Sequence, residues 1–183
     1  VSQDTGISST DKLTKDTTLT ITGNGTAGET ITIYDGSTVL GTTVVGIDGK
    51  WSFTTPALND GYHTLEATST NAFGFEGMAS SAGLWEIDTV APAQPVLGSN
   101  NGLPLVIGTA EAGTTVSVVI GGATYTVPVD ISGNWSINLA TAIPTSGSAP
   151  AITTGTFPIS VYSTDAAGNS TTPTSSNLVV TTT

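Results

Sequence analysis

An ordered train of short motifs occurs twice in this chain, so whatever fold it adopts is built twice. Asp4-Thr5 recurs as Asp88-Thr89, about 84 residues on. Gly23-Asn24-Gly25-Thr26-Ala27-Gly28 recurs as Gly108-Thr109-Ala110-Glu111-Ala112-Gly113 at nearly the same offset. Ile47-Asp48-Gly49-Lys50-Trp51-Ser52 recurs as Ile131-Ser132-Gly133-Asn134-Trp135-Ser136. Gly61 through Thr70-Asn71-Ala72-Phe73-Gly74 recurs as Gly155 through Thr164-Asp165-Ala166-Ala167-Gly168, now about 94 residues on. That widening marks an insertion of about ten residues near 140–152 in the second copy. Repetition at domain length implies an array, with domain 1 over 1–90 and domain 2 over 91–183.

Between the motifs, apolar residues alternate with polar ones at period two, the pattern of half-buried strands. Leu19 and Ile21 alternate with threonines in 17–22, and Ile31 and Ile33 do so in 29–34. Trp51 and Phe53 follow the Asp48-Gly49 turn, then come 62–70 and 84–87. The second copy offers 105–107, 115–120, 135–139, 157–164 and 178–181, and each copy has one extra strand, at 39–45 and 123–129. Threonine suits the outer face, being β-branched and polar. Gly, Asn, Asp and Pro fall between the runs, where turns need them. No helical period of useful length is present. About seven short strands per copy predicts an all-β chain of two tandem immunoglobulin-like β-sandwich domains. Asp88-Thr89-Val90-Ala91-Pro92-Ala93-Gln94-Pro95 is the short proline-containing linker between them. Trp51 and Trp135 are the expected core anchors.

Composition narrows the function. Net charge is −11, and all three basic residues are lysines. Such a chain cannot neutralise phosphates, which excludes nucleic acid, and an anionic membrane surface would repel it. With no cysteine there are no disulfides, thiolate metal sites or cysteine nucleophiles. No apolar run approaches a membrane span. The chain starts mid-pattern, as an excised piece of something longer would.

Ile87-Asp88-Thr89-Val90-Ala91-Pro92, then Gly108 to Gly113, then Ser132-Gly133-Asn134-Trp135, then Ser163-Thr164-Asp165-Ala166-Ala167-Gly168-Asn169 form an ordered set. It resembles the bacterial immunoglobulin-like repeats of giant, type I-secreted, calcium-binding surface adhesins and biofilm-associated proteins. The resemblance covers nearly the whole chain. It implies two consecutive extender domains of a calcium-stiffened stalk, secreted to the bacterial surface, whose partners are the neighbouring repeats. The chain is expected to be a monomer, and the resemblance leaves the host or surface ligand of the parent adhesin open.

The acidic residues fit that implication. In a sandwich, the entering segment and the loops after the second and sixth strands share one pole. Asp88, Glu111 and Asp165 therefore converge at the junction, where a cation would relieve their repulsion. Ca2+ suits an all-oxygen set of carboxylates, carbonyls and amides. Asp11 and Asp16, between the first two strands, and Asp60 form a possible second site. At the outer pole of domain 1 only Asp4 and Asn71 remain, with Thr26 in place of the glutamate, so that site is expected to be degenerate. Asp48, Asp130 and Asp35 read as ordinary turn residues. With His63 the lone histidine and no cysteine, zinc and copper are not expected.

No catalytic constellation is visible. His63 lies inside a strand and reads as structural, and no pair of carboxylates lines a cleft. The chain is expected not to be an enzyme. Three functions compete: a stalk spacer, a ligand- or glycan-binding sandwich acting through the inserted loop, and an accessory module of a secreted polysaccharide-degrading enzyme. The insertion is expected to hang from the pole away from the calcium site.

Overall fold

The computed structural model describes residues 4–181. The chain is all-β and divides into two units, Val1–Thr89 and Val90–Thr183. Unit 1 holds β1 (Leu13–Thr14), β2 (Thr20–Asn24), β3 (Thr30–Asp35), β4 (Thr38–Val44), β5 (Lys50–Thr54), β6 (Gly61–Thr70) and β7 (Ser80–Ile87). Unit 2 holds β8 (Val96–Leu97), β9 (Leu105–Thr109), β10 (Thr115–Ile120), β11 (Ala123–Pro128), β12 (Asn134–Asn138), β13 (Gly155–Thr164) and β14 (Thr174–Val180).

Alternation sets which face each strand buries. On β3, Ile31 and Ile33 point inward while Thr30 and Thr32 stay partly exposed. Leu65 and Ala67 on β6 join the same core, with Leu19, Ile21, Val45, Leu58, Trp85 and Ile87. Unit 2 gathers Val106, Val116, Val118, Tyr125, Trp135, Ile137, Val161 and Leu178 into its own core. Each such side chain contributes about 1.5–3 kcal/mol on burial, so each unit rests on packing without covalent staples. The repeated Gly49 and Gly133 take φ of 75° and 79°, the left-handed turn that precedes each tryptophan strand.

The units differ at their first strand. In unit 1 one sheet runs β1-β7-β6-β3-β4 and the other is β2-β5 alone. In unit 2 the sheets are β11-β10-β13-β14 and β12-β9-β8. β1 thus joins β7 in parallel, Leu13 opposite Glu86. β8 instead joins β9 antiparallel, Val96 opposite Thr109 and Leu97 opposite Gly108.

Two expectations need correction. Trp51 is only partly buried, whereas Trp135 and Trp85 are each 4% exposed, so Trp85 on β7 is the deep anchor of unit 1. The insertion does not hang free. It folds along β11, otherwise a sheet edge, where Thr124 N donates to Ser146 O at 2.9 Å and Thr145 N to Thr124 O at 2.7 Å. Thr126 and Thr145 hydroxyls meet at 2.8 Å, and Ala142 and Ile152 pack on the core. The small uncharged residues that made this segment look inert let it lie flat against a strand and cover its open groups.

Candidate functional site

The acidic loops come first. In unit 2, Glu111 opens the turn between β9 and β10, and Asp165 opens the loop after β13. Because Thr115 faces Thr164 across β10 and β13, the two loops sit at one end of the unit. Glu111 Oε2 accepts from Ala93 N at 3.0 Å, and Ser163 Oγ donates to Ala93 O at 3.0 Å, so the entering segment is clamped by both. Asp165 accepts from Asn169 N at 2.8 Å and from Asn169 Nδ2 at 3.0 Å, closing its loop. Both carboxylates are therefore held in place by neighbouring N–H groups and offer oxygen donors of the hard type calcium takes. Asp88 belongs to unit 1, where its N–H donates to Thr14 O at 2.9 Å.

At the end of unit 1 where β7 finishes, acidic residues collect. Asp60, just before β6, accepts from Thr89 N at 3.1 Å and from Thr89 Oγ1 at 2.8 Å. Asp16 N donates to Thr14 Oγ1 at 3.1 Å. Asp11 accepts from Leu13 N at 3.1 Å and so precedes β1; it does not lie between the first two strands as expected, because β1 starts only at Leu13. Asp4 accepts from Lys12 N at 3.0 Å, and its other oxygen, Oδ1, is buried with no hydrogen-bond partner. Lys12 reaches over Gly83 nearby, so the negative charge here is partly offset. Among the described residues, no three of His, Asp and Glu form a group placed to hold a metal ion.

Asp4 and Asn71 do not meet. Asp4 lies beside Lys12 at the open end of the β6–β7 hairpin, and Asn71 begins its loop at the other end. Asn71 Oδ1 accepts from Phe73 N at 2.9 Å and Phe75 N at 3.1 Å. It thus closes its loop with an amide where unit 2 uses the Asp165 carboxylate. The Asp-Thr repeat lined up Asp4 with Asp88 in sequence, but the opening segment of unit 1 takes a different path.

Sequence reasoning missed two features. The first is the setting of His63. Its Nδ1 lies 2.6 Å from Asp35 Oδ2 and its Nε2 lies 2.8 Å from Asn59 O. Asp35 Oδ1 also accepts from Thr64 N at 3.0 Å. Asp35 is therefore more than a turn residue: it ties the end of β3 to β6. With both ring nitrogens facing acceptors, the imidazolium is the form that fits. Burial pulls the His63 pKa down, but the Asp35 hydrogen bond, the Asn59 carbonyl and the Asp35 charge outweigh it, and the net shift is upward. From sequence His63 reads as a structural residue inside a strand, yet nothing local announced a partner 28 residues away. The second is the loop after β6, where Phe73 (87%) and Met78 (96%) are exposed with Phe75. A run of Phe, Phe and Met inside a turn was its signal.

Glu76 and Glu86, unassigned from sequence, also gain partners. Tyr34 hydroxyl donates to Glu76 at 3.2 Å. Tyr62 pairs across the sheet with Glu86, and the hydrogen bond to that carboxylate raises the Tyr62 pKa.

Residues 1–89 match the family described as bacterial Ig-like domain. No curated protein matches the chain. Among solved structures, it is similar to the fibronectin(III)-like modules of CbhA from Clostridium thermocellum. That match has 14% identity and a TM-score of 0.54, over 92% of this chain and 87% of that one, and it speaks to the fold. It is also similar to a Ca2+-stabilized adhesin that helps an Antarctic bacterium reach out and bind ice, at 25% identity and a TM-score of 0.44, over 93% of this chain and 46% of that one. A 1.5-MDa bacterial ice-binding adhesin gives 24% identity and a TM-score of 0.43, over 93% of this chain and 60% of that one. The chain thus spans about half the length of those two adhesin structures.

Proposed function

We propose, from the match of residues 1–89 to the family described as bacterial Ig-like domain, that both units are extender domains in the stalk of a bacterial cell-surface adhesin, stiffened by calcium at their junction. The observation that carries this reading is that one sandwich plan is built twice in succession, each copy with a complete core of its own. A protein whose task is to span distance needs independent, stackable beads more than a cleft. The location this implies is extracellular, in service of adhesion or biofilm formation, and the partners are neighbouring repeats.

The chemistry of the chain agrees with a passive role. Its one imidazole is held by Asp35 and Asn59, away from any general-base task. The inserted loop is seated on β11, which takes away the ground for a free binding loop. The calcium reading rests on this chain's own carboxylates. Glu111 and Asp165 stand at one end of unit 2, and Asp88 opens the proline-containing linker. Calcium would supply charge neutralisation and a multidentate oxygen clamp there. The protein's part is to hold Glu111 against Ala93 and Asp165 against Asn169, so that the oxygens are presented with little reorganisation.

Small-angle scattering tests the proposal. In calcium the profile should fit one fixed arrangement of two beads; after EDTA it should broaden to an ensemble with both beads still folded. Superimposable profiles in the two conditions would contradict it.

A further inference from the structure

The two tryptophan strands lie in matching cradles, and only one cradle is filled. Trp51 faces Gly23 across β5 and β2, as Trp135 faces Gly108 across β12 and β9. A Cβ at either glycine would strike the indole, at 2.5 Å and 2.7 Å, so both rings lie over a glycine in the same way. In unit 2, β8 runs along the outer edge of β9: Val96 pairs Thr109, Leu97 pairs Gly108, and Gly98 N donates to Ile107 O at 2.8 Å. Leu97 packs on the core, and Trp135 is left 4% exposed. A pocket of about 40 Å³ remains beside that strand, lined by Leu97, Val106 and Leu178.

In unit 1, β1 has joined β7 instead, and among the described residues no strand covers β2 at Thr22–Asn24. Thr55 N bonds Leu19 O and Gly25 N bonds Gly49 O, so the odd-numbered positions face β5. Thr22 and Asn24 therefore turn their backbone groups outward, where Ile107 and Thr109 turn theirs toward β8; the Asn24 carbonyl meanwhile accepts from the Trp51 indole N–H at 3.4 Å, a long bond that an added strand would replace. A seam of about 240 Å³ opens between the sheets, lined by Ile21, Gly23, Trp51, Ala67 and Ala82. It continues into a surface groove of about 540 Å³ beside Asp48 and Lys50. One acid and one base flank that groove, so its rim has no net charge.

We propose that the edge of β2 in unit 1 is an acceptor site for one extended, uncharged peptide strand. The strand adds antiparallel to Thr22–Asn24 and inserts an aliphatic side chain into the seam beside Trp51. The occupant's chemistry is that of the Pro95-Val96-Leu97-Gly98 segment seated on the matching edge in unit 2. Backbone bonds supply affinity and the seam selects the side chain, the logic of strand addition. The site is independent of the stalk reading.

The probe is a synthetic peptide of residues 93–100 added to the full chain. Trp51 is the tryptophan with solvent access, because Trp85 and Trp135 are each 4% exposed. Saturable binding should shift the emission to shorter wavelength, lower its quenching by acrylamide, and slow hydrogen exchange at the Thr22 and Asn24 amides. A peptide carrying Leu97→Asp should lose all three effects. In the chain, Thr22→Pro removes an outward N–H without touching the bonds to β5, and should abolish peptide binding. Unchanged Trp51 quenching at millimolar peptide would overturn the proposal. So would equal binding of the Asp-bearing peptide, which would mark adventitious sticking, or exchange protection confined to another edge such as β4. If Thr22→Pro fails to fold, the paired peptides still decide.

Discussion

At residue scale the most consequential group is His63, the single histidine of the chain. Its pKa is raised in the folded state, so the fold favours the protonated ring. The sign follows: this stabilisation is complete below the unfolded value, about pH 6.5, and is lost as pH rises through the higher folded value. The melting temperature of unit 1 should therefore fall as pH rises above about 6.5, and His63→Gln should flatten that slope; a wild-type Tm that holds or rises as the pH is raised from there would refute the assignment. Asp35→Asn leaves the imidazolium without its carboxylate, and should cost about 1–3 kcal/mol by denaturant titration. None of this was legible locally. Asp35-Gly36 has the composition of a plain turn, and the pairing depends on β3 and β6 lying side by side. The Asp48 and Asp130 turns were legible, because their bonds are local: Asp48 Oδ1 accepts from Lys50 N, and Asp130 Oδ1 from Ser132 N and Asn134 N.

At the scale of elements, period-two alternation marked the long strands because each has one wet face and one dry one. The two-residue strands β1 and β8 carry no such period, and their different partners could not be read from sequence. That choice of partner decides how deep each of the repeated tryptophans, Trp51 and Trp135, sits. Trp85→Ala should accordingly destabilise unit 1 by about 3–5 kcal/mol, and Trp51→Ala by clearly less, judged by circular dichroism in denaturant. Equal losses would mean that the open cradle is closed in solution. The insertion was found by its offset, yet its seat on β11 was not, since small polar residues carry little pattern. Excising residues 141–152 should bare the β11 edge and drive association visible in light scattering; a shortened chain that stays monomeric at high concentration would remove edge cover as its role.

At the scale of the whole molecule, the duplication says more than any residue does. It determined the two-domain reading, while period-two alternation within each copy supplied the all-β one. The carboxylates are harder: topology puts Glu111 and Asp165 at one end of their unit, while Asp4 and Asn71 take opposite ends of theirs, a divergence that lies in the path of the opening segment. The proposed function turns on calcium binding by Asp88, Glu111 and Asp165. The most direct measurement is calorimetric titration of Ca2+ into EDTA-stripped chain, beside an Asp88→Ala, Asp165→Ala double variant that remains folded. Saturable binding in the parent chain and its loss in the variant is the expected result. Binding absent from both, or retained undiminished in the variant, would contradict it.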